Sequence, residues 1–156
     1  MASTETLWHI IILAMTPIVE SRGSIPYGVA NGIDLPLTLM LSFLGNMAPV
    51  PLLLLTMESI EKWIMSRGEF SLIRRIFIKY VKNLRARASI SVKKYGFIGL
   101  AVFVAIPIPG TGAWTGSVVA HLFGIDFRRA ILAILVGVMI AIFIITVTVL
   151  WISSIF

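Results

Sequence analysis

Apolar residues fall into blocks along this chain, and the lengths of the blocks predict its elements. Residues 35–57 and 130–152 are each long enough to cross a bilayer as a helix, which takes about 20 residues at about 1.5 Å each. Two further blocks stop short. Residues 7–19 end at Glu20-Ser21-Arg22-Gly23, and residues 97–108 end at Pro109-Gly110-Thr111-Gly112. Each reaches only about halfway through the hydrocarbon. A second short run follows each, residues 24–33 and 113–125, and returns the chain to where a long span begins. The pattern predicts two re-entrant helical hairpins with Gly/Pro-broken tips near the bilayer midplane. Irregular backbone at that depth needs protein or water around it, so the tips are expected to face inward.

The halves also match in sequence. Pro17-Ile18 corresponds to Pro107-Ile108, Val29-Ala30 to Val119-Ala120, and Gly32-Ile33-Asp34 to Gly124-Ile125-Asp126 after a two-residue insertion. The expected fold is an all-α membrane protein: an inverted repeat of a re-entrant hairpin plus one transmembrane helix, with a cytoplasmic amphipathic helix between the repeats. Residues 1–156 form a single membrane domain, with repeat 1 at 7–57, a basic connector at 58–95 and repeat 2 at 96–152. In the connector, Phe70, Ile73, Phe77, Tyr80, Val81 and Leu84 recur at helical spacing among basic residues. Such a helix suits an anionic leaflet or a second protomer equally well.

Composition sharpens the class. The 156 residues are 58% hydrophobic and only 13% charged, with mean hydropathy +1.00. A soluble domain carries about 25% charged residues and could not hide this much apolar surface. The net charge of +6 is not a nucleic-acid signal, because ten of the thirteen Lys and Arg lie between Lys62 and Lys94. Placing that segment and Arg128-Arg129 in the cytoplasm satisfies the positive-inside rule, with both termini outside. Cysteine is absent, which removes thiol chemistry and disulfides. No nucleotide-binding loop, metalloprotease motif or nucleophile elbow occurs, so the chain is not expected to be an enzyme, and no cofactor or metal is implied. Without a nucleotide fold, transport would be secondary or passive.

Candidate chemistry sits at the tips. Glu20 and Arg22 would cost at least about 2.5 kcal/mol each facing lipid, so they must pair with each other, with water or with the other tip. Beyond pinning the hairpin, such groups serve ion or proton pathways. Ser24 lies just beyond them. The second tip carries Pro109, Gly110, Thr111, Gly112, Trp114 and Thr115. Its glycines open backbone N–H and C=O groups, its hydroxyls add ligands, and Trp114 offers a stacking face. Alternatively its glycines serve helix contact. Asn46, mid-span and followed by Pro49 and Pro51, lines the same cavity or glues helices. His121 is a lone histidine of structural type, and His9, Trp8 and Trp151 mark membrane boundaries.

The segments Glu20-Ser-Arg-Gly-Ser-Ile-Pro-Tyr-Gly28, Gly45-Asn46-Met-Ala-Pro49-Val-Pro51 and Lys94-Tyr95-Gly96-Phe97, running on to Pro107-Ile-Pro-Gly-Thr-Gly-Ala-Trp-Thr-Gly116, resemble the putative small multidrug export protein family, a compact relative of the DedA/VTT superfamily. The resemblance implies an inner- or plasma-membrane, multi-pass protein with two opposed re-entrant hairpins. In the superfamily, the acidic residue of the first hairpin and arginines near the second Pro-Gly are linked to proton-coupled transport or lipid movement. Glu20 fits the acidic position. The second tip here has no arginine, and Arg22 is the candidate to supply the charge. The expected activity is secondary, proton-coupled export of a small molecule, drug or ion from a site between the tips. A lipid scramblase and a non-transporting scaffold are the alternatives. The partners are the bilayer, the substrate and protons, with no nucleic acid; small-residue faces suit a homodimer.

Overall fold

The computed structural model describes residues 4–68, 71–108 and 110–155. Among them every regular element is a helix: α1 (Thr4–Met15), α2 (Glu20–Ala30), α3 (Leu35–Met47), α4 (Pro49–Met65), α5 (Leu72–Tyr95), α6 (Phe97–Ala105), α7 (Ala113–Leu122) and α8 (Phe127–Ser153). The expected helical class holds. Two helical paths are long and apolar enough to cross a membrane, Leu35–Met65 and Phe127–Ser153. The first combines α3 and α4. Pro49 opens α4 without an N–H to extend the ladder, yet Ala48 keeps helical angles (φ −55°, ψ −44°), so the chain runs on to Met65, past the expected end at 57.

The short helices form two helical hairpins. His9 of α1 reaches Tyr27 of α2, and a Cβ added to Gly116 of α7 would meet Val104 of α6. The same device ends both return helices. Gly32 and Gly124 take left-handed angles (φ 68° and 64°). Beside them Ile33 N–H donates to Gly28 O (3.0 Å), and Ile125 N–H donates to Ala120 O (2.9 Å). This is the six-to-one bond of a Schellman cap, and only glycine adopts that backbone without strain. Asp34 and Asp126 then turn extended and lead into the long helices.

In each half the entering helix packs on the long helix across a glycine. A Cβ on Gly45 would meet Ile11 O and Ala14 Cβ, both at 2.8 Å; one on Gly137 would meet Ala101 O at 2.7 Å and Val104 Cβ at 2.6 Å. Gly45 and Gly137 stand at the same sequence offset as the two Gly-Ile-Asp turns, and Ile11 and Ala14 stand to Ala101 and Val104 as Pro17 stands to Pro107. The core fills the space between α6, α7 and α8, with Ile25 and Val50 reaching in from the first half.

Helix α5 packs on its own chain. Leu84, Ala88 and Val92 are buried in the core, and Gly96 (φ 51°) turns the chain so that Gly99 of α6 lies against the Ser91–Val92 backbone. Leu84 belonged to the expected apolar stripe; Ile73 and Tyr80 remain exposed, and Phe70 lies outside the described residues. The stripe seats only its C-terminal end because α6 is nine residues long.

Candidate functional site

Each hairpin breaks where proline removes a donor. After α1, Thr16 Oγ1 donates to Leu13 O (2.7 Å) and Pro17 interrupts the ladder. After α6, Ile106 precedes Pro107 and is extended (φ −71°, ψ 118°), as a residue before proline prefers. Helix α2 begins at Glu20, four residues earlier than its apolar run, so Glu20 and Arg22 occupy its first turn. Glu20 has φ 49°, the only positive φ outside glycine among the described residues. Such a conformation costs about 1–3 kcal/mol and persists only where surroundings enforce it. The apices divide by polarity: Ile18 is 83% exposed, whereas Glu20 is 3% exposed.

What enforces it is the other hairpin. Trp114 N–H, in the first turn of α7, donates to Glu20 Oε1 (3.3 Å), and the carboxylate fills the hollow at Gly112, where a Cβ would come within 2.6 Å of its Cδ. Arg22 Nη2 donates to Thr111 O (2.7 Å), Thr111 Oγ1 (3.0 Å) and Ile106 O (3.3 Å). Thr111 Oγ1 also lies 2.5 Å from Ile106 O and 2.7 Å from Ile108 O, as donor to that turn. In the reverse direction, Trp114 Nε1–H donates to Met15 O, the end of α1 (3.0 Å). A carboxylate thus meets the positive end of α7, a guanidinium the negative end of α6, and an indole N–H the end of α1. Glu20 and Arg22 form no ion pair with each other among the described residues. Thr115 Oγ1 donates to Gly112 O in the first turn of its own helix (3.3 Å), and Gly110 lies beside the Arg87 guanidinium of α5.

Ser24 and Asn46 sit elsewhere, in the seam between α2 and α3. Ser24 Oγ donates to Ser42 Oγ (2.7 Å), and Asn46 Nδ2 donates to Ser21 Oγ (3.2 Å). Thr38 completes the row on α3. All five side chains are buried, and Thr38 Oγ1 and Asn46 Oδ1 have no hydrogen-bond partner among the described residues. Residue choice alone singled out Ser24 and Asn46 but missed Thr38 and Ser42; their four-residue spacing in an otherwise apolar span is the signal that finds them. Pro109 lies outside the described residues.

At the far end of α7, His121 Nε2 lies 2.5 Å from Glu61 Oε2 of α4. On α5, burial and then the Glu20 charge push the Tyr80 hydroxyl above its ordinary value. Arg87, beside Gly110, thus brings α5 to the second tip, a link absent from the sequence patterns.

Against known families, the model for "Putative small multi-drug export protein" matches residues 20–144, from Glu20 to within α8. The chain belongs to that family. The family's export label and the two long apolar helices together point to a membrane protein. No curated protein and no solved structure matches the chain. The family match spans the tip contact and the seam alike, so both belong to the part of the chain that defines the family.

Proposed function

We propose that this member of the small multi-drug export family is a proton-coupled secondary transporter whose gate is the contact between the two hairpin tips. In this account the hairpins are re-entrant, the two halves form an inverted repeat of the DedA/VTT kind, residues 58–95 face the cytoplasm, and both termini lie outside the inner or plasma membrane. The equivalent turns at Gly32 and Gly124 and the equivalent close contacts at Gly45 and Gly137 support the repeat.

One observation carries the proposal: Glu20, held with a strained backbone, closes on the N-terminal end of α7 through the Trp114 N–H while Arg22 closes on the carbonyls of the same break. A carboxylate accepts strongly from an N–H only while ionised. Protonating Glu20 weakens its bond and removes its attraction to the α7 dipole, so one proton loosens one side of the clamp and frees the hairpins to part. Cargo chemistry follows from the cleft of about 550 Å³ between α3 and α8, lined by Leu39, Met40, Phe43, Met139, Phe143 and neighbours. Methionine and aromatic walls adapt to varied apolar molecules. A scramblase would need a polar track for headgroups, which this cleft does not offer.

The test is flux of a lipophilic cation dye from liposomes with and without a pH gradient. The parent chain is expected to respond to the gradient and Glu20→Gln to lose that response. An unchanged response in Glu20→Gln refutes the proton role.

A further inference from the structure

The seam between α2 and α3 holds more polar groups than its packing requires. Thr38, Ser42 and Asn46 recur every fourth residue on one face of α3, opposite Ser21 and Ser24 of α2. Thr38, Ser24 and Ser42 are fully buried, and Ser21 and Asn46 are 2% exposed. The second half builds the same helix contact without them: at the matching offset α8 carries Ala130, Ile134 and Val138, all buried and apolar. The scaffold therefore does not demand hydroxyls or an amide here. Moreover, Thr38 Oγ1 and Asn46 Oδ1 lack a hydrogen-bond partner among the described residues, an arrangement that destabilises a dry core.

We propose that this seam is a water-bridged proton path leading from the outer face to Glu20. The proposal rests on the proton-coupled reading above and supplies its route. Successive rungs are four residues apart, about 6 Å along the helix, close to the reach of a single water making two hydrogen bonds. The unpartnered oxygens of Thr38 and Asn46 are acceptors for such waters. Gly28 admits the Thr38 side chain against α2 at the outermost rung, since a Cβ there would come within 2.7 Å of Thr38 Oγ1. Tyr27 and His9 stand at the outer mouth, joined at 3.0 Å, with Asp34 at the start of α3; Glu20 and Arg22 stand at the inner end. A proton entering from outside hops between water and the hydroxyls of Thr38, Ser42, Ser24 and Ser21 and protonates the Glu20 carboxylate. The Asn46 amide orients water without carrying the proton. Release toward the cytoplasm passes the Tyr80 and Arg87 side, so Glu20 divides an outer path from an inner one.

The test uses the full chain in liposomes and exploits its lack of cysteine. Single substitutions Thr38→Cys and Ser42→Cys are compared with Ala130→Cys and Ile134→Cys, the apolar counterparts, for reaction with a small water-soluble methanethiosulfonate. The seam pair is expected to react about tenfold faster or more, the rate equivalent of roughly 1.4 kcal/mol; equal rates in the two pairs overturn the path. In parallel, entry of protons after external acidification is read with a trapped pH dye. Thr38→Val, chosen to fill the same space, is expected to slow it about tenfold without lowering the melt, and Ser42→Ala to slow it about tenfold with a lowered melt because it unpairs the buried Ser24 hydroxyl. If Glu20→Gln abolishes entry and the seam variants do not slow it, the path is wrong and the proton role of Glu20 stands. If Glu20→Gln has no effect, both fall.

Discussion

Replacing Gly112 by alanine attacks the tip contact at its tightest point. The residue has φ 154° and ψ −167°, a region that side-chain-bearing residues occupy at a cost of about 1–3 kcal/mol. The added Cβ would stand 2.6 Å from Glu20 Cδ and 2.7 Å from Oε1, so the carboxylate must retreat by about 1 Å to reach ordinary contact. Its bond from Trp114 N–H is already 3.3 Å long and would not survive. The orphaned N–H and displaced charge add about 1–3 kcal/mol, for a total of about 2–6 kcal/mol. In a detergent-solubilised thermal melt that is a fall of about 6–18 °C. Two other glycines calibrate the measurement. Gly32→Ala incurs only left-handed strain, about 1–2 kcal/mol, because nothing among the described residues lies within 4 Å of its Cβ; Gly68→Ala meets none of the described residues and has no such strain, so it should melt with the parent. Shortening the acid in Gly112→Ala by Glu20→Asp should restore part of the loss, with a coupling of about 0.5–3 kcal/mol. A Gly112→Ala melt no lower than that of Gly32→Ala, or a double variant without coupling, would refute the account of the contact.

Three further outcomes follow from the same geometry. Gly45→Ala and Gly137→Ala should each lower the melting point by similar amounts, about 1–3 kcal/mol of overpacking, because their Cβ atoms would strike equivalent carbonyl and side-chain atoms; a large loss at one alone would argue against the equivalence of the halves. Arg22→Lys should cost about 1.5–3 kcal/mol in the same melt and diminish gradient-driven flux, since the shorter side chain would have to bring its ammonium to the one point where Arg22 Nη2 meets Thr111 O, Thr111 Oγ1 and Ile106 O. Lys62 holds the exposed Glu58 carboxyl below its ordinary range, and Glu58 holds Lys62 above its own. The contribution of Glu58 is therefore present above the usual carboxylate pKa and lost as pH falls through the lowered value. That of Lys62 is present below the usual lysine pKa and lost as pH rises through the raised one. Both side chains are solvated, so Lys62→Met should leave the melt at neutral pH unchanged.

Element lengths were legible in the sequence because lipid imposes a minimum that soluble cores do not. The long blocks became α3–α4 and α8, and the half-length blocks became α1 and α6. Boundaries were less legible where polar residues belong to a helix: Glu20, Ser21 and Arg22 read as a loop by polarity, yet the structure winds them into α2 because their partners lie across the molecule. Those partners could not be read at all. That Glu20 meets Trp114 rather than Arg22 depends on how two segments far apart in the chain fold together. The same holds for α5, whose exposed stripe from Ile73 to Tyr80 was visible by periodicity, while Ala88 and Val92 acquire their burial only from the turn at Gly96 and the close passage of Gly99.

Broken helices leave a dipole end at each break, and two hairpins tip to tip confront like with like unless something intervenes. Here the first hairpin supplies both charges, a carboxylate for the start of α7 and a guanidinium for the end of α6, and the second supplies glycines that let them in. The division has a consequence for motion. Were each half to carry one charge, parting the tips would strand an ion on both sides. With both charges on α2, separation leaves the second hairpin neutral and concentrates the polarity change on one short helix, whose other face is the Ser21–Ser24 seam. Loss of the Glu20 charge would then alter the attraction between the halves without requiring charge to move through α6 or α7, whose buried faces are mostly apolar.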